Sequence, residues 1–537
     1  MKRIFLLIAL FMTSLPPLTA DCQENLPLVA GKDIAVVPTA YGKVRGYIHN
    51  GIYTFKGIPY GKATRFMPPE KPASWEGIRN SMAYGPTCPS PEYDVFRDEY
   101  EFALNRSHGY YINENCLNLN IWSKKVNGAE RKPVMVYLHG GGFASGSSVE
   151  FASLDGESLS KKGDVVVVSI NHRLNTIGFL DLSAYGEKYK HSVNLGVMDM
   201  VSALTWVKEN IANFGGDPGN VTIFGQSGGG GKVTCLLNAP SAKGLFHKAI
   251  VQSGGYIDHF IEPAVAQKVA ATLLVELGLR DDQVDSLLTI PYDRLSAAGE
   301  RAIEKVKQTE NHPELYNFGL EWGPVHDGDL LPYNPIEPAA LRISENIPLL
   351  VGSCKNEYTP FNPGLNDLSM EDVNARLQKR YGDRTAAYMS ALKKAYPQTA
   401  EPADYIDVDF LFRPFVIRQA DQKSKAATAQ VYVYLFAWQS PAFEGKYKAF
   451  HTMDLPFVFN NIARCEEMTG GGQKAYQMAD RMSEAWIQFA RTGNPNHKGL
   501  PDWPDYTFIN GATMIFDNKC EVKYHHDKEL LSIALSQ

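Results

Sequence analysis

Short runs of apolar, often β-branched residues recur along the chain, and several of them lead directly into glycine-bearing turns. The runs lie at residues 134–143, 164–173, 220–229, 248–255, 347–353 and 431–438. Helical patterns lie between some of them, such as Asp199 to Asn210 and Met478 to Arg491. Continuous apolar runs of this length suit strands that are buried on both faces. The alternation predicts an α/β fold with a large, mostly parallel central sheet and helices on both faces.

The first 20 residues, MKRIFLLIALFMTSLPPLTA, have the pattern of a secretory signal peptide. Lys2 and Arg3 precede an apolar run, and a polar segment ends at Ala20, where we expect cleavage. Because the apolar run is shorter than the roughly 18 residues that a membrane span needs, we predict no membrane span. Residues 21–537 contain no low-complexity linker, long charge run or repeat, which favours a single domain in a secreted or periplasmic protein.

The charge balance and the cysteines restrict the possible functions. A net charge of −6 with 21% charged residues argues against a nucleic-acid-binding protein. Export permits disulfides, although the seven cysteines are an odd number. Cys88 and Cys116 flank a polar loop, and a bridge between them would close about 28 residues and contribute about 3 kcal/mol. No C-x-x-C pair or His/Cys cluster indicates a metal site.

The stretch FGQSGGGGKV, residues 224–233, contains the pattern G-x-S-x-G centred on Ser227. Residues 221–224 are typical of a strand and residues 232–237 of a helix, so Ser227 lies at a strand-to-helix turn, as a nucleophile elbow requires. Gly225 and Gly229 suit a turn so tight that a Cβ would collide with its neighbours. We interpret the additional glycines as sites of close approach that leave N–H groups open to an anion. The alternative is a flexible, glycine-rich loop.

A serine nucleophile needs backbone donors for the developing oxyanion. His139 to Phe143, HGGGF, directly follow a predicted strand, as the oxyanion loops of lipases and esterases do. We therefore predict that the amides of Gly141 and Gly142 face the substrate carbonyl, with the amide of Gly228 as a third donor.

The serine also needs a base and an acid, which follow it in the chain order of this fold. Among the later histidines, His451 is favoured because it follows the predicted strand 431–438 and a loop. Glu357 follows the run 347–353 and is a candidate for the acid. Asp327 and Asp329 compete with it on spacing alone, so the pattern leaves the acid open.

Together these stretches resemble the type-B carboxylesterase family, over about Val36 to Tyr506. The motifs that carry the resemblance are GIPYG, ENCLNLNIW, HGGGF, NHRLNTIGFL, GVMDMVSALTWVKENIANFGGDP, the serine elbow, KNE, FHTMDLPFVF and FARTGNPN. The resemblance implies an α/β-hydrolase fold and a serine carboxylesterase that acts on small-molecule esters. It implies no metal or organic cofactor.

The resemblance also implies roles for individual residues. It makes Ser227 the nucleophile, Glu357 the acid and His451 the base, and it assigns Gly141, Gly142 and Gly228 to the oxyanion hole. It pairs Cys88 with Cys116 in a disulfide and suggests two structural ion pairs, Arg65 with Glu114 and Arg173 with Asp199.

The chain departs from the family pattern at several positions. Gln226 precedes the serine where the family often has Glu, four glycines follow it, and Tyr358 replaces a glycine found after the acid in cholinesterases. The loop from Pro89 to Asn115 contains no Trp for a cation–π contact with choline, which argues against a choline ester as substrate. Two other functions compete with the esterase hypothesis: a catalytically silent binding or adhesion protein, and an amidase with the same triad.

Overall fold

A computed structural model describes residues 26–90, 99–107, 111–254, 258–309, 319–362, 364–426 and 428–536. The predicted signal peptide, residues 1–20, lies outside the described residues. The strands are β1 (Val36–Thr39), β2 (Gly42–Arg45), β3 (Tyr47–His49), β4 (Ile52–Pro59), β5 (Ile78–Asn80), β6 (Asn118–Ser123), β7 (Lys132–Leu138), β8 (Val166–Ile170), β9 (Gly216–Gln226), β10 (Lys248–Gln252), β11 (Leu349–Cys354), β12 (Val431–Phe436), β13 (Ala512–Phe516) and β14 (Glu521–Tyr524).

The α-helices alternate with the central strands. They are α1 (Glu99–Leu104), α2 (Glu157–Gly163), α3 (Asn175–Phe179), α4 (Leu195–Asn210), α5 (Gly228–Leu237), α6 (Pro263–Leu277), α7 (Tyr292–Thr309), α8 (Pro338–Ile343), α9 (Met370–Tyr381), α10 (Thr385–Ala395), α11 (Arg413–Ala426), α12 (Leu455–Val458), α13 (Glu466–Thr469), α14 (Gln473–Thr492) and α15 (Lys528–Leu535). None of the helices in the described ranges is long and apolar enough to cross a membrane.

An 11-stranded sheet forms the centre of the molecule, in the order β14-β13-β12-β11-β10-β9-β7-β8-β6-β4-β3. Every pair from β8 through β7, β9, β10, β11 and β12 to β13 is parallel. The outer strands pair antiparallel, and β1, β2 and β5 form a separate small sheet. The prediction of a large, mostly parallel sheet in an α/β fold is confirmed.

The central strands are apolar on both faces because each face is covered. Along β7, Val136 and Leu138 belong to one buried cluster, whereas Met135 and Tyr137 belong to the other. Helices α4 and α5 contact β9, and α14 contacts β7 and β9. The indole of Trp486 on α14 is fully buried, and burial of an aromatic side chain stabilises the fold by about 1.5–3 kcal/mol. Continuous apolar runs therefore replace the alternation expected of a half-exposed sheet.

The register of the parallel strands brings their carboxyl ends to one edge. Leu138 pairs with Gly225, Gln226 with Gln252, and Gln252 with Gly352. The segments that follow β7, β9, β10 and β11 therefore leave the sheet side by side. In open α/β sheets this edge is where ligands bind.

Candidate active site

Ser227 lies between the last residue of β9 and the first residue of α5. Its backbone has φ 58° and ψ −128°, a conformation that costs a non-glycine residue about 1–3 kcal/mol. The Ser227 N–H donates to the carbonyl of Gln252 at 2.8 Å, and the Gly231 N–H donates to the Ser227 carbonyl at 3.1 Å. The neighbouring strand and the first turn of the helix thus hold a strained elbow in place.

The glycines around Ser227 are required by close backbone approach. A Cβ on Gly229 would lie 2.0 Å from the carbonyl oxygen of Leu138, and one on Gly230 would lie 2.9 Å from the Cα of Gly254. Residues 228–231 belong to the buried helix α5. They therefore do not form the flexible loop that the sequence left as an alternative.

The segments that carry Gly141, Gly142 and Gly228 meet beside Ser227. A Cβ on Gly228 would lie 2.4 Å from the backbone nitrogen of Gly142. Gly141 and Gly142 have φ values of 85° and 61°, which favour glycine. Among the described residues, the amides of Gly141 and Gly142 donate to no backbone or side-chain acceptor, and the amide of Gly228 donates to none outside α5. The arrangement offers N–H groups to an oxyanion.

His451 and Glu357 form a buried hydrogen-bonded pair. The Nδ1 of His451 lies 2.5 Å from Oε2 of Glu357, and the His451 N–H donates to the Glu357 carbonyl at 3.0 Å. The other carboxyl oxygen of Glu357 accepts from the Ser253 hydroxyl at 2.7 Å and the Cys354 N–H at 2.8 Å. Burial lowers the pKa of His451, so its imidazole is neutral near pH 7. Burial raises the pKa of Glu357, while the bonds from Ser253 and Cys354 oppose that rise.

The competing carboxylates occupy a different position. Asp327 accepts from the Asn194 amide at 2.7 Å and from the N–H groups of Asp329 and Leu331 at 3.0 and 2.9 Å. Asp327 thus stabilises its own turn and ties that turn to Asn194. Of the three candidate acids, the structure brings Glu357 to His451.

The side chain of Gln226 contacts the imidazole of His451. The Gln226 amide nitrogen lies 3.3 Å from Nε2 and 3.5 Å from Nδ1, whereas Ser227 makes no hydrogen bond to His451 in this structure. Because Nδ1 is hydrogen-bonded to Glu357, Nε2 carries the lone pair. The Gln226 amide is nearly equidistant from the two ring nitrogens, so it contacts the ring without lying along that lone pair. Sequence reasoning identified Gln226 as a departure from the family but not as a contact of the histidine.

Two aromatic rings flank the imidazole of His451. The ring centroid of Tyr358 lies 4.2 Å from that of His451, and the Phe412 ring lies 5.1 Å away at an interplanar angle of 17°. Sequence reasoning missed Phe412, which has no local signal, and also Ser253. The position of Ser253 directly after the apolar run of β10 was a usable signal.

Ser227 and His451 line one cavity of about 920 Å³ together with residues 140–142. Helix α1 contributes Tyr100, Glu101 and Leu104 to its wall. Trp322 also lines it. Ser90 and Glu300 contribute to its wall as well. A cavity of this volume accommodates a small organic molecule.

The structure contains both predicted ion pairs but not the predicted disulfide. Arg65 donates to Glu114 through Nε at 2.8 Å, and Arg173 donates to Asp199 through two nitrogens at 2.8 and 2.6 Å. Both expected ion pairs are thus present. The predicted disulfide is not formed in this structure, where Cys88 and Cys116 are buried thiols. Burial and the neighbouring Cys88 thiol raise the pKa of Cys116, which favours the protonated form, and the bridge stays a prediction.

Comparisons with known proteins find similarity to carboxylesterases over most of the chain. The profile of the carboxylesterase family matches residues 33–533. The para-nitrobenzyl esterase of Bacillus subtilis (strain 168) is 36% identical over 504 residues, covering 92% of this chain and 97% of that enzyme. The phenmedipham hydrolase of Pseudarthrobacter oxydans is 31% identical over 495 residues, 89% of this chain and 94% of that hydrolase.

Solved structures give the same result. An esterase from anaerobic Clostridium hathewayi that can hydrolyze aliphatic aromatic polyesters is 37% identical and superimposes with a TM-score of 0.84. The match covers 95% of this chain and 99% of that structure. The fold is therefore that of the α/β hydrolases, and the chain belongs to the carboxylesterase family of serine carboxylic ester hydrolases.

Proposed function

We propose that the protein is a secreted serine carboxylesterase that hydrolyses carboxylic esters through an acyl-enzyme on Ser227. The observation that supports this most strongly is the 2.5 Å hydrogen bond between His451 and Glu357 at the cavity that Ser227 and His451 both line. A nucleophile, a base and an acid that orients the base are the minimum that ester hydrolysis by a serine requires.

In the proposed mechanism, Ser227 attacks the ester carbonyl while Nε2 of His451 accepts its proton. The carboxylate of Glu357 accepts from Nδ1 and stabilises the imidazolium that forms. The negative oxygen of the tetrahedral intermediate accepts from the amides of Gly141, Gly142 and Gly228. His451 then protonates the leaving alcohol, and water attacks the acyl-enzyme with the same histidine as base.

The first step requires a rearrangement. The amide of Gln226 lies at 3.3 Å from the nitrogen that must accept the serine proton. The Ser227 hydroxyl, which makes no hydrogen bond to His451 here, must approach Nε2 beside that amide. Catalytic hydrogen bonds that are long or misdirected in a ligand-free enzyme commonly tighten when the substrate binds.

The test is hydrolysis of p-nitrophenyl butyrate by the wild type, Ser227→Ala and Ser90→Ala. Ser90 lines the same cavity but has no assigned role in catalysis, so this variant shows how much removal of a hydroxyl from the cavity wall changes the rate by itself. We expect Ser227→Ala to lower kcat/KM by about 10⁴-fold or more, and Ser90→Ala to have a far smaller effect. Circular dichroism checks that all three fold. Equal rates for wild type and Ser227→Ala would contradict the proposal.

The same proteins separate the two competing functions. A silent binding protein would leave the folded wild type as inactive as Ser227→Ala. An amidase would hydrolyse p-nitrobutyranilide as fast as the matched ester or faster. We expect the ester to be strongly preferred.

Export and the disulfide are part of the proposal and have their own measurements. We expect the mature protein from the extracellular or periplasmic fraction to begin at Asp21, as Edman sequencing would show. We also expect a thiol count under denaturing, non-reducing conditions to rise by two after reduction, with Cys88 and Cys116 in one disulfide-linked peptide. A mature protein that still begins at Met1 would contradict cleavage of the signal peptide. An unchanged thiol count would contradict the disulfide.

A further inference from the structure

A buried lysine lies behind the loop that offers the oxyanion-hole amides. Lys232 is on α5, one helical turn after Gly228, and its side chain is 0% exposed. Its ammonium donates to the carbonyl of His139 at 2.8 Å and approaches the carbonyl of Gly140 at 3.4 Å. Sequence analysis did not single it out, although a charged residue inside an apolar helical run, GGGGKVTCLL, was a signal.

The two carbonyls belong to peptide groups of the oxyanion loop. A carbonyl and the next N–H share one planar, conjugated peptide unit. The carbonyl of Gly140 therefore belongs to the same unit as the N–H of Gly141, a proposed oxyanion donor. A cation at the oxygen end polarises this unit and makes the N–H end more positive, because hydrogen bonds in a chain strengthen one another.

The surroundings of Lys232 are nearly free of solvent. Burial lowers its pKa to about 7, and Glu150 is the main group that opposes this. A carboxyl oxygen of Glu150 lies 3.5 Å from Nε of Arg106. The charge of Glu150 is therefore divided between Arg106 and Lys232. Cys235 and Cys88 also raise the pKa of Lys232, by less than Glu150 does.

Two stacked imidazoles complete these surroundings. His139 and His172 lie parallel at 4.8 Å. Burial first, and then the charge of Lys232, lower the pKa of both rings, so they are neutral. The Phe143 ring lies 5.8 Å from the ammonium. A buried cation with such partners costs free energy that an apolar side chain of the same shape would not.

We propose that Lys232 is a positioning residue for ester hydrolysis, whose ammonium anchors and polarises the 139–142 loop and thereby strengthens the oxyanion hole. This inference rests on the proposed roles of Ser227 and Gly141. Because the lysine acts as a cation, its contribution is greatest at pH values below about 7 and falls as pH rises through that value.

The test compares Lys232→Met with Lys423→Met. Lys423 is also buried and donates to a backbone carbonyl, that of Ser344, but it does not line the active-site cavity. We expect Lys232→Met to lower kcat/KM by about 10- to 100-fold, below the 100- to 1,000-fold cost of losing a whole oxyanion donor. Most of the loss should lie in kcat. Lys423→Met should keep kcat/KM within about threefold of the wild type.

Two readouts separate polarisation from a merely structural role. Affinity for a trifluoromethyl ketone, which forms an oxyanion on the nucleophilic serine, should fall with kcat/KM. The ratio of wild-type to Lys232→Met kcat/KM should also shrink as pH rises from 6 to 9. If Lys232→Met does not fold, Lys232→Gln, which keeps a donor but no charge, replaces it in the same comparison.

Each outcome decides between the claims. Unchanged kcat/KM and ketone affinity in a folded variant, or a ratio that stays constant with pH, overturns the role of Lys232. If Ser227→Ala retains activity and binds the ketone as the wild type does, the proposed function itself is wrong. Loss of both in Ser227→Ala with no effect of Lys232→Met leaves the esterase proposal intact and removes only this inference.

Discussion

Replacing Gln226 by Glu tests how the environment of His451 controls activity. Gln226 is 1% exposed, and its amide nitrogen lies 3.3 Å from Nε2 and 3.5 Å from Nδ1 of His451. Glu has nearly the same shape as Gln, so the substitution adds a negative charge with little change in packing. Besides the hydrogen-bonded Glu357, Asp454 and Asp409 act on the imidazole, and they raise its pKa against the larger effect of burial.

The expected shift follows from the distance. Two unit charges 3.3 Å apart interact by about 5 kcal/mol at an effective dielectric constant of about 20, which corresponds to roughly 3–4 pKa units. Burial also favours the protonated form of the new Glu, so we expect the pKa of His451 to rise by about 1–3 units. The base must be neutral to accept the serine proton. The acidic limb of the pH profile therefore moves to higher pH, and activity on that limb falls.

The assay is kcat/KM for p-nitrophenyl butyrate from pH 4 to 9. Gln226→Met is the uncharged control, and its acidic limb should not move upward. A limb in Gln226→Glu that stays in place or moves to lower pH would refute the reasoning. So would an equal upward shift in Gln226→Met, because the charge would then not be the cause.

Two further predictions concern stability. Gly229→Ala places a Cβ 2.0 Å from the Leu138 carbonyl, so it should lower the free energy of unfolding by about 3 kcal/mol or more. Gly128→Ala, where a Cβ meets nothing within 4 Å, should change it by less than about 0.5 kcal/mol; equal effects in urea denaturation would contradict the steric argument. Asp199→Asn leaves the guanidinium of Arg173, which is 1% exposed, without its counter-ion. It should cost about 3–5 kcal/mol by the same measurement, and a loss below 1 kcal/mol would show that the pair is dispensable.

The order of strands and helices and the position of Ser227 could be predicted because both depend on local pattern. Buried strands are apolar runs, and an elbow needs glycines immediately beside the nucleophile. The helix after Ser227 begins at Gly228, closer to the serine than residues 232–237 indicated. Glycines disfavour helix in isolation by about 1 kcal/mol each, but close packing against β7 and β10 overrides that preference here.

The choice of acid could not be predicted from the residues alone. Glu357 follows an apolar run, but Asp327 competes with it on spacing alone, and His451 lies 94 residues after Glu357. The decision depends on how the segment after β11 turns toward that histidine.

The sequence by itself determined the fold class, the elbow, the glycine loop and the favoured histidine, because each depends on a pattern of neighbouring residues. Only the tertiary structure decided which carboxylate meets His451, that Gln226 contacts its ring, and that Lys232 reaches the carbonyls of His139 and Gly140. These contacts join residues 92 to 225 positions apart. The register of parallel strands and the burial of side chains set such distances, and no local pattern carries that information.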